Sequence, residues 1–291
     1  MRIGIATLIL SYVLSQFYRA FLAVLTPVLE ADLGATKADL ATASGAWFLA
    51  FALMQLPVGE ALDRVGPRLT TAAALLVGAG GAALFAAATT PGMLTLAMAL
   101  IGVGCSPVLM ASYFIFARQF SPAVFGTLAG ATIGIGSLGN IGASMPLSMA
   151  VEAFGWRGTV WALAAVTALT GLVVAALVRD PPHAPKSGGG SGLAVLRMPA
   201  LCYAPAAGLR GLWLGPYFTD VHGFTRAQVG QASLWMGLAM VLGSFAYGPL
   251  DRWLGTRKWV VFGGNALLAA CLAALWLLPS AGSGLAILLF V

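Results

Sequence analysis

Apolar residues run through this chain in blocks closed by short polar breaks, with none of the strict alternation that marks a half-buried strand. Several blocks reach the ~20 residues that a helix needs to cross a ~30 Å hydrocarbon core. Read up to each break, the pattern predicts helices near Ile3 to Leu29, Leu40 to Gly59, Leu69 to Ala88, Met93 to Ala117, Ala123 to Met149 and Thr159 to Val178. The first long hydrophilic stretch follows, Arg179 to Ser191, whose Pro181-Pro182 pair and Gly/Ser run cannot continue a helix in lipid. Three more helices are expected near Ala200 to Thr219, Ala227 to Pro249 and Trp259 to Leu278, and Gly284 to Val291 starts another. The expected organisation is a six-helix bundle over 1–178, a cytoplasmic linker over 179–197 and a partial second bundle over 198–291. This is an all-α polytopic membrane protein of about nine complete spans. Its final residues, Leu285 to Val291, end without a closing polar turn, as in a C-terminally shortened chain.

Composition narrows the class. Of the 291 residues 60% are hydrophobic and 8% charged, against about 45–50% and about 25% in soluble domains. Mean hydropathy is +0.93, which rules out a soluble globular or disordered chain. A net charge of +6 would suggest nucleic acid in a soluble protein, but the basic residues are scattered singly between apolar runs. They are better read against the lipid bilayer, with no nucleic-acid partner. An N-terminus on the cytoplasmic side places Arg2, Arg64, Arg68, Arg118, Arg179, Lys186, Arg197, Arg252, Arg257 and Lys258 inside, and only Lys37, Arg157 and Arg226 outside. That bias predicts a multi-pass inner-membrane protein of this orientation. The Met1-Arg2 start resembles a signal peptide, but its apolar run continues to Val28, beyond the ~7–15 residues of such a segment.

Self-similarity organises the chain further. Gly34-Ala35-Thr36-Lys37-Ala38-Asp39-Leu40 is echoed by Gly223-Phe224-Thr225-Arg226-Ala227-Gln228-Val229, and Asp63-Arg64-Val65-Gly66-Pro67-Arg68 by Asp251-Arg252-Trp253-Leu254-Gly255-Thr256-Arg257. Each separation spans six helices and preserves the membrane side, so the halves read as parallel repeats about an axis along the membrane normal.

The loop Gly59-Glu60-Ala61-Leu62-Asp63-Arg64-Val65-Gly66-Pro67-Arg68, its weaker echo at Asp251, Arg252 and Arg257, and the turn Gly155-Trp156-Arg157 resemble motifs of the major facilitator superfamily of secondary transporters. The resemblance implies two six-helix bundles around a central cavity and an alternating-access cycle. It also implies that Asp63 latches the cytoplasmic gate against an eleventh helix. Physically, a glycine at a helix end admits a neighbour, an aspartate caps a facing helix, and arginines hold headgroups or carboxylates.

Two arginines lie within predicted spans. Arg19 and Arg210 each fall roughly 15 Å below the boundaries marked by Glu30 and Asp220, near the bilayer midplane. A lipid-facing arginine there costs about 3 kcal/mol or more, so both should face the interior. Every carboxylate falls at a helix end or loop, leaving an anionic substrate to neutralise them. Paired arginines on helices 1 and 7 are similar to those of organophosphate and organic-anion permeases in the superfamily. With His183 and His222 in loops and no acid at depth, nothing visible relays a proton, which favours exchange or facilitated diffusion.

Gln16, Tyr18, Gln55, Tyr113 and Asn140 are further intramembrane polar groups that could line the cavity, though groups of this kind more often make an interhelical hydrogen bond than bind a ligand. Gly126, Gly130, Gly134, Gly136, Gly139 and Gly142 read as close packing of the fifth helix, and Trp156, Trp161, Trp253 and Trp259 as interfacial anchors. Cys105, Cys202 and Cys271 sit in apolar runs without ligand spacing, so neither a metal nor a cofactor is expected. No hydrolase, phosphate-binding or metalloprotease motif points to an enzyme. The sequence thus reads as a monomeric transporter of a small organic anion. The alternatives are an efflux pump for neutral or cationic compounds, and a non-transporting receptor or assembly factor on the same fold.

Overall fold

The computed structural model describes residues 2–181 and 257–277, with scattered positions between 218 and 243. The chain divides into two compact units, Met1–Pro181 and Pro182–Val291. In the first unit the described helices are α1 (Arg2–Leu33), α2 (Lys37–Leu53), α3 (Gln55–Arg64), α4 (Pro67–Ala86), α5 (Pro91–Cys105), α6 (Val108–Gln119), α7 (Pro122–Gly136), α8 (Leu138–Gly142) and α9 (Met145–Leu177). In the second unit a helix spans Arg257–Leu277. The described residues contain no strand.

Six helical segments of the first unit are long and apolar enough to cross a membrane: Ile3–Leu33, Lys37–Arg64, Pro67–Ala86, Pro91–Gln119, Val124–Gly142 and Met145–Leu177. Among the described residues the structure therefore supports six spans, and the nine complete ones expected are not supported. The helices expected over 200–219 and 227–249 and most of the linker over 179–197 lie outside the described residues.

The segments differ from their sequence outlines for identifiable reasons. Span 2 is interrupted at Met54, where Pro57 contributes no N–H to the helical ladder. Span 4 breaks at Ser106-Pro107, and the Val103 carbonyl that proline leaves open accepts bonds from the Ser106 hydroxyl, 2.6 Å, and backbone N–H, 3.2 Å. The fifth segment is stepped at Ser137 and Ala143-Ser144. The expected loop between helices 5 and 6 is instead helical on both sides of Gly155, whose φ of 72° marks the kink.

Chain reversals follow local chemistry. Gly34 leaves α1 at φ 61°, a left-handed conformation that costs a side-chain-bearing residue about 1–2 kcal/mol. Its counterpart in the repeat, Gly223, sits at φ 64°. The Thr36 hydroxyl accepts from the Asp39 N–H at 3.1 Å while the Asp39 carboxylate accepts from the Thr36 N–H at 2.9 Å, a capping box that starts α2.

Small residues set the helix contacts. A Cβ on Gly104 would lie 2.5 Å from the Cα of Gly78, so α5 and α4 touch backbone to backbone, and one on Gly81 would meet the Ala97 carbonyl oxygen at 2.9 Å. A Cβ on Gly102 would collide with the Trp47 carbonyl oxygen, pinning α5 to α2. Gly139 of α8 sits against the Val13 carbonyl of α1, and Gly136 against the Tyr12 ring, the close packing expected of these two glycines. A buried apolar cluster around Phe21, Leu25, Trp47, Phe85, Met98 and Val160 fills the space between these backbones.

Candidate functional site

Arg19 occupies the middle of α1, half-buried, on a helix that presents Ser11, Ser15, Gln16 and Tyr18 as buried polar positions. Its guanidinium carbon lies 5.3 Å from the ring centroid of Trp47 and 5.8 Å from that of Phe51. Those two rings, one helical turn apart on α2, stack with centroids 5.2 Å apart and planes 12° apart. The cation is thus held against a π-surface, worth roughly 0.5–2 kcal/mol depending on desolvation, and not by a carboxylate. Among the described residues its Nε–H is buried and donates to no partner, whereas its terminal nitrogens stay accessible and make no hydrogen bond. A buried guanidinium N–H left unpaired costs on the order of 1–3 kcal/mol.

The other sequence candidates fall in different places. Tyr18 is 1% exposed and points away, towards α9. The Thr167 hydroxyl donates to the Leu163 carbonyl at 2.7 Å, so the 2.8 Å bond between the two side chains has the Tyr18 hydroxyl donating. Gln16 donates from Nε2 to the Tyr12 hydroxyl at 2.9 Å, and its Oε1 is buried without a partner. Gln55 bonds back to the Phe51 carbonyl at 3.1 Å, over the break in span 2. Tyr113 sets its ring edge on Phe125, centroids 5.7 Å apart. Asn140 is half-buried on α8, next to the glycine that touches α1. The structure therefore groups Arg19 with Trp47 and Phe51, while Tyr18 and Tyr113 serve interhelical contacts. Arg210 lies outside the described residues.

Trp47 and Phe51 escaped the sequence reading. The available signal was an aromatic pair at i and i+4 on the span that follows one carrying a cation at depth.

The loop between α3 and α4 is held within the first unit. Arg64 pairs with Glu60 at 2.6 Å, and Asp63 lies 3.6 Å from Arg118 at the end of α6. Arg68 donates from Nε to the Ala175 carbonyl at 2.5 Å, and its backbone N–H donates to the Asp180 carboxylate at 2.7 Å. Asp180, absent from the sequence candidates, thus caps α4, where Pro67 opens the helix and the second N–H points outward. Gly66 permits this: it adopts φ 96°, and a Cβ there would lie 2.8 Å from the Asp180 carboxyl carbon. At Gly59 a Cβ would have no described neighbour within 4 Å. Asp251 and Arg252 lie outside the described residues, and Arg257 is described only as the first residue of its helix.

At the opposite face, Gly155-Trp156-Arg157 makes contacts within the first unit. Trp156 is 6% exposed and donates from Nε1 to the Asp32 carboxylate at 2.9 Å, correcting its assignment as an interfacial anchor. Arg157 donates to the Ala86 and Ala88 carbonyls at 3.3 and 2.9 Å, satisfying the C-terminus of α4, and stands 3.8 Å from Asp32. Trp161 is exposed.

Comparison with known proteins gives the following. A sequence profile described as Major Facilitator Superfamily matches residues 8–291. A bacterial homolog of the human lysosomal transporter Spinster, inward-facing and unoccupied, superposes with a TM-score of 0.59 at 16% identity, covering 99% of this chain and 71% of that one. The same type of protein in an occupied state gives 0.61 at 19%, covering 98% and 69%. The nucleoside transporter NupG gives 0.66 at 16%, covering 99% and 78%. At such identities these likenesses speak for the fold alone. No curated protein sequence matches significantly.

Proposed function

The chain belongs to the Major Facilitator Superfamily, a multi-pass membrane family whose solved neighbours here are transporters and not enzymes, and on that footing we propose that it carries a small organic anion across the inner membrane by alternating access. One observation carries the reading: Arg19, near mid-membrane, has accessible terminal nitrogens, a buried unpaired Nε and no carboxylate partner among the described residues. Its terminal nitrogens offer an anion a two-point contact, and the stacked rings of Trp47 and Phe51 hold the guanidinium in place beforehand. Arg210 is its proposed mate from the second half of the repeat, and Gln16 and Asn140 supply further polar contacts. The N-terminus is cytoplasmic in this reading, supported by Arg64, Arg68, Arg118 and Arg179 sharing one end of the first unit. Asp63 and the loop around it serve as a gate contact.

A second reading, transport of a neutral solute, is favoured by the π-contacts of Arg19, which already meet part of its need for a counter-charge. Thermal stabilisation of the purified chain by phosphorylated, carboxylated and neutral metabolites separates the two. Under the anion reading, one anion class raises the melting temperature of the parent and not of Arg19→Gln or Arg210→Gln. Stabilisation by neutral solutes alone, retained in both variants, overturns it.

A further inference from the structure

A cavity of about 220 Å³ opens at the arginine-rich end of the first unit, lined by Gly4, Ile5 and Leu8 of α1, Ile115 and Gln119 of α6, and Leu177, Val178, Arg179 and Asp180 at the end of α9. Its lining combines apolar residues of three membrane-spanning segments with the polar Gln119, Arg179 and Asp180. Gly4 makes the notch, since a Cβ there would lie 3.0 Å from the Leu177 carbonyl oxygen and α1 approaches α9 this closely only without one.

The charges at this end discriminate among occupants. Arg64 is held by Glu60, Arg118 by Asp63 and the Phe114 ring, and Arg68 by the Ala175 carbonyl. Arg179 makes no hydrogen bond or ion pair among the described residues, and it stands on the cavity. Asp180 beside it is already committed, through Oδ1, to the N-terminus of α4, where the helix dipole offsets its charge. Gln119 adds an amide to the same lining. An apolar slot at the end of the spans, lined also by a cation that no described group pairs and by an amide, is complementary to an anionic amphiphile.

We propose that this cavity binds an anionic phospholipid, with an acyl chain between the ends of spans 1, 4 and 6 and the phosphate on Arg179. The site is separate from Arg19 and does not depend on the identity of the transported solute. Lipid bound here bridges the starts and ends of three spans at the face that also carries the Asp63 loop.

Native mass spectrometry of the full chain, released from detergent with equimolar phosphatidylglycerol and phosphatidylcholine of identical acyl chains, tests the proposal. The parent retains phosphatidylglycerol preferentially, and Arg179→Gln lowers that preference roughly fivefold, the loss expected for one cation near a headgroup. Ile5→Trp, which fills the slot, lowers retention of both lipids, and Arg64→Gln, which removes a cation from the same face, leaves the preference in place. Equal retention of the two lipids by the parent overturns the proposal. So does an equal loss in Arg64→Gln and Arg179→Gln, which would make the effect one of diffuse surface charge.

Discussion

Gly66→Ala isolates the contact that fastens the end of span 6 to the start of span 3. Residue 66 stands at φ 96°, where a Cβ costs about 1–2 kcal/mol in backbone strain. The same Cβ would lie 2.8 Å from the Asp180 carboxyl carbon and displace the group that caps α4 at 2.7 Å. A capping carboxylate is worth about 1 kcal/mol, and the exposure of Asp180 brings that to roughly 0.5–1. Gly66→Ala should therefore cost about 1.5–3 kcal/mol, and Asp180→Ala about 0.5–1. Because the first substitution already forfeits the cap, the double variant should be no less stable than Gly66→Ala alone. At about 2–4 °C per kcal/mol, the melting temperature of the detergent-purified protein falls by roughly 3–12 °C in Gly66→Ala and in the double variant. The assay is intrinsic tryptophan fluorescence at a fixed scan rate, which keeps irreversible unfolding comparable between variants. Strictly additive losses would refute the reasoning, since they would mean that Asp180 caps α4 whether or not residue 66 bears a side chain.

Two further outcomes follow from the packing. Gly139→Ala drives a Cβ into the Val13 carbonyl, which as backbone cannot rotate away, so α8 must separate from α1 at a cost of about 1–3 kcal/mol; a melting temperature within 1 °C of the parent would contradict the contact. Trp156→Phe keeps an aromatic ring against Phe85 and beneath Arg157 but removes the donor to Asp32, a loss of about 1 kcal/mol; Asp32→Asn, which keeps an acceptor, should cost less by the same measurement.

Much of the fold was legible because a bilayer forces helices to be long, apolar and separated by polar breaks. All six blocks before Arg179 correspond to spans, and the repeated Gly34 and Gly223 share one left-handed conformation. Interruptions within spans were less legible. Pro57 and Pro107 announce that a ladder bond is missing, but whether the helix bends, breaks or is patched by Ser106 depends on neighbours that periodicity does not encode. Site chemistry followed the same division. The position of Arg19 along span 1 could be counted off from Glu30, yet its partners on α2 could not, because α2 is placed by backbone contacts such as Gly102 of α5 on Trp47, which periodicity does not encode. Tyr18 was a candidate for the cavity lining, whereas its hydroxyl is spent on Thr167 of α9.

These contacts also explain why Arg19 is a fixed feature of its unit. Spans 3 and 6 are tied at both ends, by Asp180 and Arg68 at one face and by Arg157 to the α4 carbonyls at the other. Between those ties Gly171 lets α9 approach the Ala72 carbonyl at 3.3 Å from a would-be Cβ. Span 4 is fastened to span 3 through Gly78 and Gly104, and span 2 to span 4 through Gly102. Backbone contacts of this kind leave little room for sliding, because no side chain is available to change rotamer. Span 1 joins the assembly through Tyr18 to span 6, so Arg19 is held between two anchored elements, with α9 behind α1 and the Trp47–Phe51 stack in front. A cation so placed cannot travel to a distant counter-ion within its own unit. Any anion that neutralises it must therefore come to it, and this is the physical basis of the proposed anion contact at Arg19.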